Sequence, residues 1–465
     1  MIIMKVTRKI VPGILFCLSC LQANSQSIRP FRAGDRVVFA GNSITEAGLY
    51  ESYIWLYYMT RFPSERITVF NAGIGGDVAG QIYNRMDSDI LAKKPTVLAV
   101  TFGMNDSRYF EYNQKDKVAQ VREQAVSQSL NSFQQIEQQL KELPGVEKII
   151  MTSSPYDESA RIKNEVFHGK VETMEKIAAF QKAAARKNHW GFLDWMHSMT
   201  AINKREQRKD SSFTLTGPDR IHPGAAGHFV MAYFFLKEQG LAGKPVATVS
   251  INAAKNEVLK TANCKVSELK AGKDNVEFNY TPYALPFPSD TVPRVWMNYQ
   301  KQVDALKVIP FVKEFNQEVL TVKGLNGNSY TLAINGEKVG QWSGAELAAG
   351  INLAEQNTPQ RKIAQEIMEL NNKRRELESK FRSYYWVHYN FLQEKKMLFN
   401  NSDAAKDTVL KYGAENGWLK MKTEDFETVR MPATRAALQK QMDDIVDAIY
   451  QKNQPAQYHI TLTAN

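Results

Sequence analysis

Five short apolar runs alternate with longer amphipathic segments between residues 36 and 241, and this alternation constrains the fold more than any other feature of the sequence. The predicted strands are residues 36–40, 67–71, 96–102, 147–152 and 190–194. The predicted helices are residues 49–61, 79–93, 118–143, 163–187 and 224–239. Strands that alternate with helices at this spacing predict an α/β domain, in which helices cover both faces of a parallel sheet.

The pattern changes near residue 244, where Pro, Asn and Gly become frequent. Residues 244–355 are predicted to form a smaller β-rich region, which includes an extended loop at the Pro-rich residues 280–293. Two Asn-Gly pairs, which begin at Asn326 and Asn335, separate alternating runs between residues 318 and 342. Because Asn-Gly is a typical hairpin turn, these runs predict a three-stranded meander.

The C-terminal region, residues 356–465, is predicted to be mainly helical. Apolar residues recur every three or four positions from Ile363 to Phe391, interrupted by Arg374, which predicts one amphipathic helix of about thirty residues. A second helix is predicted at residues 433–451, and an edge strand from Tyr458 onward. Since the long apolar stripe would be exposed if this region stood alone, we expect it to pack on the α/β domain.

The N-terminal residues 1–25 have the pattern of a secretory signal peptide. Basic residues precede the apolar run 10–21, and Ala23 and Ser25 form a small-x-small cleavage site. The run is too short for a stable membrane span, so a cleaved signal and a secreted or periplasmic location are expected. Cys20 keeps a lipoprotein signal open as the competing hypothesis.

Charge and cysteine content narrow the expected partners. The formal net charge is +10, and three of the positive charges lie in the predicted signal. Since no dense block of Lys and Arg is interleaved with aromatic residues, nucleic acid is not an expected partner. Of the three cysteines, Cys17 and Cys20 lie in the signal, so Cys264 remains alone and no intramolecular disulfide is expected. The oligomeric state cannot be read from the sequence.

Three loops that follow the first three predicted strands carry residues suited to acyl chemistry. They contain Ser43, the Gly75-Gly76 pair and Asn105. In a parallel sheet these loops meet at one edge, where a serine hydroxyl suits a nucleophile. A glycine N–H and an amide side chain suit an oxyanion hole. Each also has a purely structural interpretation, because Ser43 could cap a helix and the others are ordinary turn residues.

His222 is the histidine whose local sequence best suits a general base. Asp219 lies three residues before it on a predicted turn, where the carboxylate can accept the Nδ1 proton. That hydrogen bond leaves Nε2 free to deprotonate Ser43. His228, on the following predicted helix, is expected to be packed in the interior.

In order and spacing, these motifs resemble those of the SGNH, or GDSL-like, hydrolases. The matching motifs are residues 41–43, 71–77, 103–106 and 219–222. The resemblance implies a three-layer α/β/α SGNH-hydrolase-like domain with a parallel sheet, assigned to residues 26–243. It also implies Ser43 as nucleophile, His222 as general base and Asp219 as its partner.

The resemblance further implies an oxyanion hole formed by the Ser43 N–H, the Gly76 N–H and the Asn105 side chain. The sequence departs from the family at Asn42, where relatives usually have Asp; Asn can make similar hydrogen bonds to the backbone. A G-x-S-x-G elbow and an H-E-x-x-H motif are both missing from the sequence. No metal and no cofactor are implied.

The leading functional hypothesis is a secreted serine esterase that removes small acyl groups, with acetyl as the expected group, from carbohydrates. The polar residues around Ser43 favour an acylated carbohydrate over a long-chain lipid. Two alternatives remain open. One is a lipase or thioesterase acting on longer acyl chains, and the other is a non-catalytic glycan-binding protein.

Overall fold

The computed structural model describes residues 28–295 and 297–465. The predicted signal peptide, residues 1–25, lies outside the described residues, so secretion and lipidation stay predictions. Within the described ranges, no helix has both the length and the apolar character that a membrane span requires. Cys264 is a free and buried thiol.

The first sheet is parallel, with the strand order β2-β1-β3-β4-β5. Its strands are β1 (Arg36–Gly41), β2 (Thr68–Gly73), β3 (Val97–Phe102), β4 (Glu147–Thr152) and β5 (Gly191–Leu193). Each was predicted from the sequence, with small differences at the ends. Because β1 pairs with both β2 and β3, the loop after it lies between the loops that follow those two strands.

Helices cover both faces of this sheet. They are α1 (Ser43–Glu46), α2 (Tyr50–Arg61), α3 (Ala79–Asn84), α4 (Val118–Lys141), α5 (Lys170–Lys187), α6 (Trp195–Glu206) and α7 (Ala225–Glu238). Val37 and Phe39 of β1 belong to the core that includes α2 and α7. The alternate residues, Val38 and Ala40, belong to a second core, with α3, α4 and α5. The predicted three-layer α/β/α domain is therefore confirmed.

Some helix predictions for this domain were wrong in detail. The predicted helix 79–93 is α-helical only as far as Asn84 and continues as a π-helical turn, Met86–Ile90, and a 3-10 turn, Leu91–Lys93. The predicted helix 163–187 begins at Lys170, after Gly169 in a left-handed conformation. Helices α1 and α6 were not predicted.

The β-rich region contains two facing sheets that share one apolar core. Its strands are β6 (Ala247–Asn252), β7 (Glu257–Ala262), β8 (Cys264–Ala271), β9 (Asn275–Pro282), β10 (Glu318–Lys323), β11 (Tyr330–Ile334), β12 (Glu337–Trp342), β13 (Ile351–Asn352) and β14 (Tyr458–Ala464). The sheet orders are β13-β10-β6-β7 and β12-β11-β14-β9-β8. Two short helices, α8 (Phe311–Phe315) and α9 (Gly344–Ala349), lie in the same region.

The predicted three-stranded meander was wrong for its first strand. β10 pairs with β6 in one sheet, whereas β11 and β12 form a hairpin in the other. The hairpin turn is at Asn335 and Gly336, both with positive φ, as an Asn-Gly turn requires. Leu320 of β10 and Leu332 of β11 are buried in the same core from opposite sheets. The alternation of apolar and polar residues in a strand is therefore the same whether the next strand in the sequence pairs with it or lies in the opposite sheet.

The prediction of an edge strand at the C-terminus was also wrong. β14 lies between β11 and β9 and is hydrogen-bonded to both. Ile460 and Leu462 point into the core, and the side chains between them face outward. This alternation is shared by edge and central strands, so the sequence pattern could not distinguish them.

The remaining helices form the C-terminal helical region. They are α10 (Pro359–Val387), α11 (Asp403–Gly413), α12 (Gly417–Val429) and α13 (Pro432–Lys452). α10 confirms the predicted long helix and α13 the predicted second helix, while α11 and α12 were not predicted. Ile367 of α10 packs into the core of the α/β domain, and Val387 packs with α11 and α12. The guanidinium of Arg374, which interrupts the stripe, lies over the Trp55 ring at 4.5 Å.

α10 also covers the outer edge of β2, which is an edge strand of the first sheet. The Asn71 N–H donates to the Glu378 carboxylate at 2.9 Å, and Arg382 donates to the Gly73 carbonyl at 2.9 Å. These side chains satisfy backbone groups that an open edge would leave to solvent. They also fix the end of β2, where the loop that contains Gly75 and Gly76 begins.

Candidate active site

Ser43 is the first residue of α1, at the carboxyl end of β1. The residue that caps α1 is Asn42, whose Oδ1 accepts the Ile44 N–H at 3.1 Å. Asn42 is buried. Its bond to the Ile44 N–H is the backbone hydrogen bond expected of Asn at the position where the family usually has Asp. The capping interpretation of Ser43 was wrong, because its hydroxyl is engaged elsewhere.

The Ser43 hydroxyl meets His222. Ser43 Oγ lies 2.9 Å from His222 Nε2, and His222 Nδ1 lies 2.5 Å from Asp219 Oδ2. The three residues, which are up to 179 positions apart in the sequence, thus form one continuous chain of hydrogen bonds. Burial opposes the charge of Asp219, but the hydrogen bonds that it accepts from the His222 imidazole and from the N–H groups of Ile221 and His222 outweigh burial and hold the pKa of this carboxyl below its usual value.

The turn that carries His222 is held by several hydrogen bonds. Asp219 Oδ1 accepts the N–H groups of both Ile221 and His222 at 2.9 Å. Arg220 has a positive φ of 67° and is buried, with its guanidinium donating to backbone carbonyls of the adjacent loop. The acceptors are the carbonyls of Asp157, Ala160, Ile162 and Asn164. Hydrogen bonds within the turn and from Arg220 to the loop at residues 157–164 therefore hold the His222 imidazole in position.

The predicted oxyanion-hole groups line the same cavity as Ser43 and His222. Gly76 has a φ of 90°, which favours glycine. Asn105 Nδ2 donates to the Asp77 carbonyl at 2.9 Å, and Asn105 Oδ1 accepts the Tyr109 hydroxyl at 2.6 Å. Since Tyr109 occupies the amide oxygen, the Asn105 NH₂ is oriented as a donor.

The loop after β3 is held by two buried charged residues. Asp106 accepts the N–H groups of Ala79 and Gly103 and the hydroxyl of Ser129. Lys170 donates to the Met104 carbonyl at 2.6 Å and lies 3.7 Å from the centre of the Tyr109 ring. Burial lowers the pKa of Lys170 and raises that of Asp106. The role of Lys170 was not predicted, because it begins a helix more than sixty residues from the loop it holds.

A buried ion network supports the loops after β1 and β2. Arg85 donates to the Asp77 carboxylate at 2.7 Å and to the Gly41 carbonyl at 2.9 Å. Asp89 pairs with Arg85 at 2.8 Å and with Arg382 of α10 at 2.7 Å. Burial opposes the charge on Asp89, but the surrounding cations outweigh it and keep the pKa of Asp89 well below its usual value. The C-terminal helical region thus contacts the framework beneath the site.

The cavity above Ser43 has a volume of about 840 Å³ and largely apolar walls. Tyr109, Phe110 and Phe167 come from the α/β domain, whereas Trp386 and Trp418 come from the C-terminal helical region. The expectation of polar surroundings, drawn from the loops next to Ser43, was therefore incomplete. No sequence signal placed Trp386 and Trp418 near Ser43, because more than 300 residues separate them.

In the two described ranges, no group of three or more His, Cys, Asp or Glu side chains is arranged to hold a metal ion. Ser43, His222, Asp219, Gly76 and Asn105 are brought together at one edge of the parallel sheet. A hydroxyl beside an imidazole, a carboxylate behind the imidazole and nearby N–H donors can perform nucleophilic acyl transfer.

The family profile named GDSL-like Lipase/Acylhydrolase matches residues 39–229. A second profile, named Diltiazem deacetylase C-terminal helical domain, matches residues 365–454. The chain belongs to the GDSL-like lipase/acylhydrolase family and is an ester-bond hydrolase.

Known proteins match this chain at two scales. The solved structure of a gut microbial diltiazem-metabolizing enzyme is 45% identical, with a TM-score of 0.92, and the match covers 95% of this chain and 100% of that one. An acetylxylan esterase of Geobacillus stearothermophilus is 26% identical over 226 residues, which are 45% of this chain and 95% of the relative. An uncharacterized lipoprotein, YqeF, of Bacillus subtilis (strain 168) is 28% identical over 188 residues, 39% of this chain and 71% of the relative.

Proposed function

We propose that the protein is a serine esterase in which Ser43 is the nucleophile, His222 the general base and Asp219 the residue that orients the imidazole. The observation that carries this proposal is the chain of two hydrogen bonds, 2.9 Å and 2.5 Å long, from Ser43 through His222 to Asp219. Asp219 accepts the Nδ1 proton, so Nε2 is the basic nitrogen that faces Ser43.

The reaction proceeds in two acyl transfers. His222 Nε2 takes the hydroxyl proton as Ser43 Oγ attacks the ester carbonyl carbon, and the resulting imidazolium gives that proton to the departing alcohol oxygen. Water then attacks the acyl-Ser43 carbonyl with His222 as base, which releases the carboxylic acid and restores the serine. The Ser43 N–H, the Gly76 N–H and the Asn105 Nδ2 stabilise the oxyanion in both steps.

The acyl group we propose is acetyl, and the alcohol an acetylated carbohydrate. The α/β domain is related to an acetylxylan esterase along nearly the whole of that relative, which supports both parts of the proposal. Polar side chains that line the cavity, such as Ser379 and Asp425, are suited to hydroxyl groups of a sugar. We also retain the proposal that the enzyme is exported, on the pattern of residues 1–25.

A second candidate substrate class is an acetyl ester of an apolar, ring-containing small molecule. The aromatic walls of the cavity favour it, because Phe110 and Trp418 present broad exposed ring surfaces at its rim. The relative that matches nearly all of this chain is a diltiazem-metabolizing enzyme, and the profile that matches residues 365–454 is named for a diltiazem deacetylase. The two classes share the same acetyl chemistry and differ only in the leaving alcohol.

The decisive variant is Ser43→Ala, measured by acetate release. We expect it to lower kcat by about 10⁴-fold or more on an aryl acetate, because Ser43 is the cavity serine whose hydroxyl is hydrogen-bonded to His222. Ser127→Ala, an exposed serine on α4, is the matched control and should retain wild-type activity. Substantial turnover by Ser43→Ala at equal protein concentration would exclude this mechanism.

The substrate class is tested on the wild-type enzyme with two panels. The first contains aryl acetate, butyrate and octanoate, and the second contains acetylated xylo-oligosaccharides and acetate esters of aromatic alcohols. The proposal predicts that kcat/KM falls as the acyl chain lengthens. A rate that rises with chain length, with no acetate from any glycan, would favour the lipase alternative.

A further inference from the structure

The Gly75-Gly76 peptide group is held from outside the α/β domain. The indole Nε1–H of Trp386, on α10, donates to the Gly75 carbonyl at 3.1 Å. The Gly75 N–H donates to the carboxylate of Glu46, which in turn accepts the Lys422 ammonium of α12 at 2.5 Å. Both polar backbone atoms of Gly75 are thus bonded, and both contacts lead to the C-terminal helical region.

This peptide group also contains the Gly76 N–H. In a trans peptide the carbonyl and the N–H of the same plane point in opposite directions. A donor that holds the Gly75 carbonyl on one side therefore fixes the Gly76 N–H on the other. Gly76 and Ser43 line the same cavity, so the direction of this N–H decides whether the oxyanion hole has its second backbone donor.

The local sequence does not fix that direction by itself. Glycine stands on both sides of the peptide bond, and Gly76 has a φ of 90°. Glycines allow such a peptide to rotate at little steric cost. A Cβ on Gly75 would lie 2.6 Å from a Glu46 carboxylate oxygen, so a side chain there would displace the carboxylate that accepts the Gly75 N–H. The orientation must therefore come from the groups bonded to the peptide.

We propose that Trp386 is a positioning residue for the oxyanion hole: its indole N–H holds the Gly75 carbonyl so that the Gly76 N–H faces the reacting carbonyl. The inference rests on the proposed esterase function and extends it to the C-terminal helical region. An aromatic wall alone would need only a ring at this position. A hydrogen bond to the peptide needs the indole nitrogen.

The Glu46–Lys422 pair holds the same residue from its other end. Glu46 lies three residues after Ser43 on α1, so its carboxylate ties the nucleophile's helix to the Gly75 N–H. Lys422 and Glu46 are both largely buried, with side chains 21% and 14% exposed, so water screens this ion pair only in part. Lys422 thereby restricts the carboxylate to the orientation in which it binds Gly75.

The test is Trp386→Phe in the full-length enzyme, with an aryl acetate as substrate. Phenylalanine keeps the aromatic wall and removes the N–H. We expect kcat to fall by about 10- to 100-fold while KM changes by less than about twofold, because the lost contact acts on the developing oxyanion. Trp342→Phe, the same substitution on β12 in the β-rich region, should leave both constants unchanged.

Phenylboronic acid provides a readout that a merely structural role would not change. It forms a tetrahedral adduct with an active-site serine, so its Ki should rise in Trp386→Phe by about the same factor as kcat/KM falls. The melting temperature should stay within about 2 °C of the wild type. If Trp386→Phe does not fold, Lys422→Met serves instead, with a smaller loss of kcat at unchanged KM.

The outcomes separate this inference from the proposed function. If Ser43→Ala is inactive and folded Trp386→Phe keeps wild-type kcat and Ki, Trp386 is only a wall and the inference is wrong. A rise in KM with unchanged kcat also overturns it. If Ser43→Ala remains active, the esterase mechanism itself fails and the inference fails with it.

Discussion

Asn42 determines what Ser43 can do. A serine before an acidic residue at the start of a helix is most simply a cap, and the sequence alone left that interpretation open. In the structure Asn42 takes the capping position, so the Ser43 hydroxyl is available to His222. Asn42 thus caps the helix, and the Ser43 hydroxyl remains free to bind His222.

The candidate site was predictable where its determinants are local in sequence. Asp219 and His222 lie on one turn, and Ser43 follows a strand that the apolar pattern identifies. By contrast, Trp386 and Gly75 are 311 positions apart, and the sequence around neither residue indicates that they are in contact. Such a contact depends on how α10 packs on the sheet, which no local pattern encodes.

At this scale, the roles of His222 and Asp219 are separable. We expect His222→Ala to lower kcat about as much as Ser43→Ala, whereas Asp219→Asn should be about ten- to hundredfold milder, because Asp219 orients the imidazole but transfers no proton. The measurement is the steady-state rate on an aryl acetate.

The control for that experiment is a second histidine–aspartate pair. His197 Nδ1 lies 2.8 Å from Asp194, but His197 is exposed on α6 and lies outside the cavity above Ser43. His197→Ala should therefore retain full activity. Equal activity of His222→Ala and His197→Ala would remove His222 from the mechanism.

At the scale of elements, the sequence predicted which residues face inward more reliably than which strands are neighbours. All five strands of the parallel sheet were found because each is a compact apolar run. In the β-rich region the same alternation described β10, β11 and β14 correctly as strands and gave no information on their pairing. Neighbour choice is set by the shared core between two sheets, which involves residues from 247 to 462.

Glu318 on β10 is a buried glutamate whose ionisation should lower the free energy of unfolding. It is buried, its Oε1 accepts the Tyr280 hydroxyl at 2.9 Å, and its Oε2 has no hydrogen-bond partner among the described residues. Burial raises the pKa of Glu318 to about 7, against the effects of Tyr280 and Arg61. The folded protein therefore keeps a proton that the unfolded chain loses above its ordinary pKa of 4.5.

Because the folded state binds more protons between pH 4.5 and about 7, the free energy of unfolding falls as pH rises through that window. Glu318→Gln is neutral at every pH, so we expect it to stabilise the protein by about 3 kcal/mol at pH 8 and by close to nothing at pH 4.5. Thermal or urea unfolding at both pH values measures this. Glu337→Gln, an exposed glutamate on β12, should show no such pH-dependent gain; a destabilised Glu318→Gln at pH 8 would contradict the argument.

At the scale of the whole molecule, the C-terminal helical region is an insertion between two strands of the β-rich region. The chain leaves after β13, forms α10 to α13 across the α/β domain, and returns as β14. Both ends of the helical region are therefore anchored in the β-rich region, while its middle contributes Trp386 and Trp418 to the cavity above Ser43 in the α/β domain. The sequence predicted that these helices need a partner surface, but their connection back to the sheet could not be read from it.

This topology makes the last strand essential to the whole chain. β14 pairs with β9 along residues 458–463 and with β11 along residues 460–464. Its removal would separate β11 and β12 from β9 and β8 and expose a core that Ile460 and Leu462 close. Burying each of these side chains is worth about 1.5–3 kcal/mol, in addition to the lost hydrogen bonds.

Deletion of residues 456–465 should therefore lower the melting temperature by more than about 10 °C or abolish soluble expression. The deletion begins after Asn453, whose side chain donates to the carbonyls of Met59 and Thr60, so α13 keeps its anchor on α2. Thr463→Ala, an exposed position on β14, controls for side-chain loss and should change the free energy of unfolding by less than about 0.5 kcal/mol. An edge strand would tolerate the same deletion, so a truncated enzyme with wild-type melting temperature and full acetate release would contradict the central position of β14.

If the deletion variant folds, its activity should be lost at a lower temperature than that of the wild type, because the helices that line the cavity then have one anchor in the β-rich region instead of two.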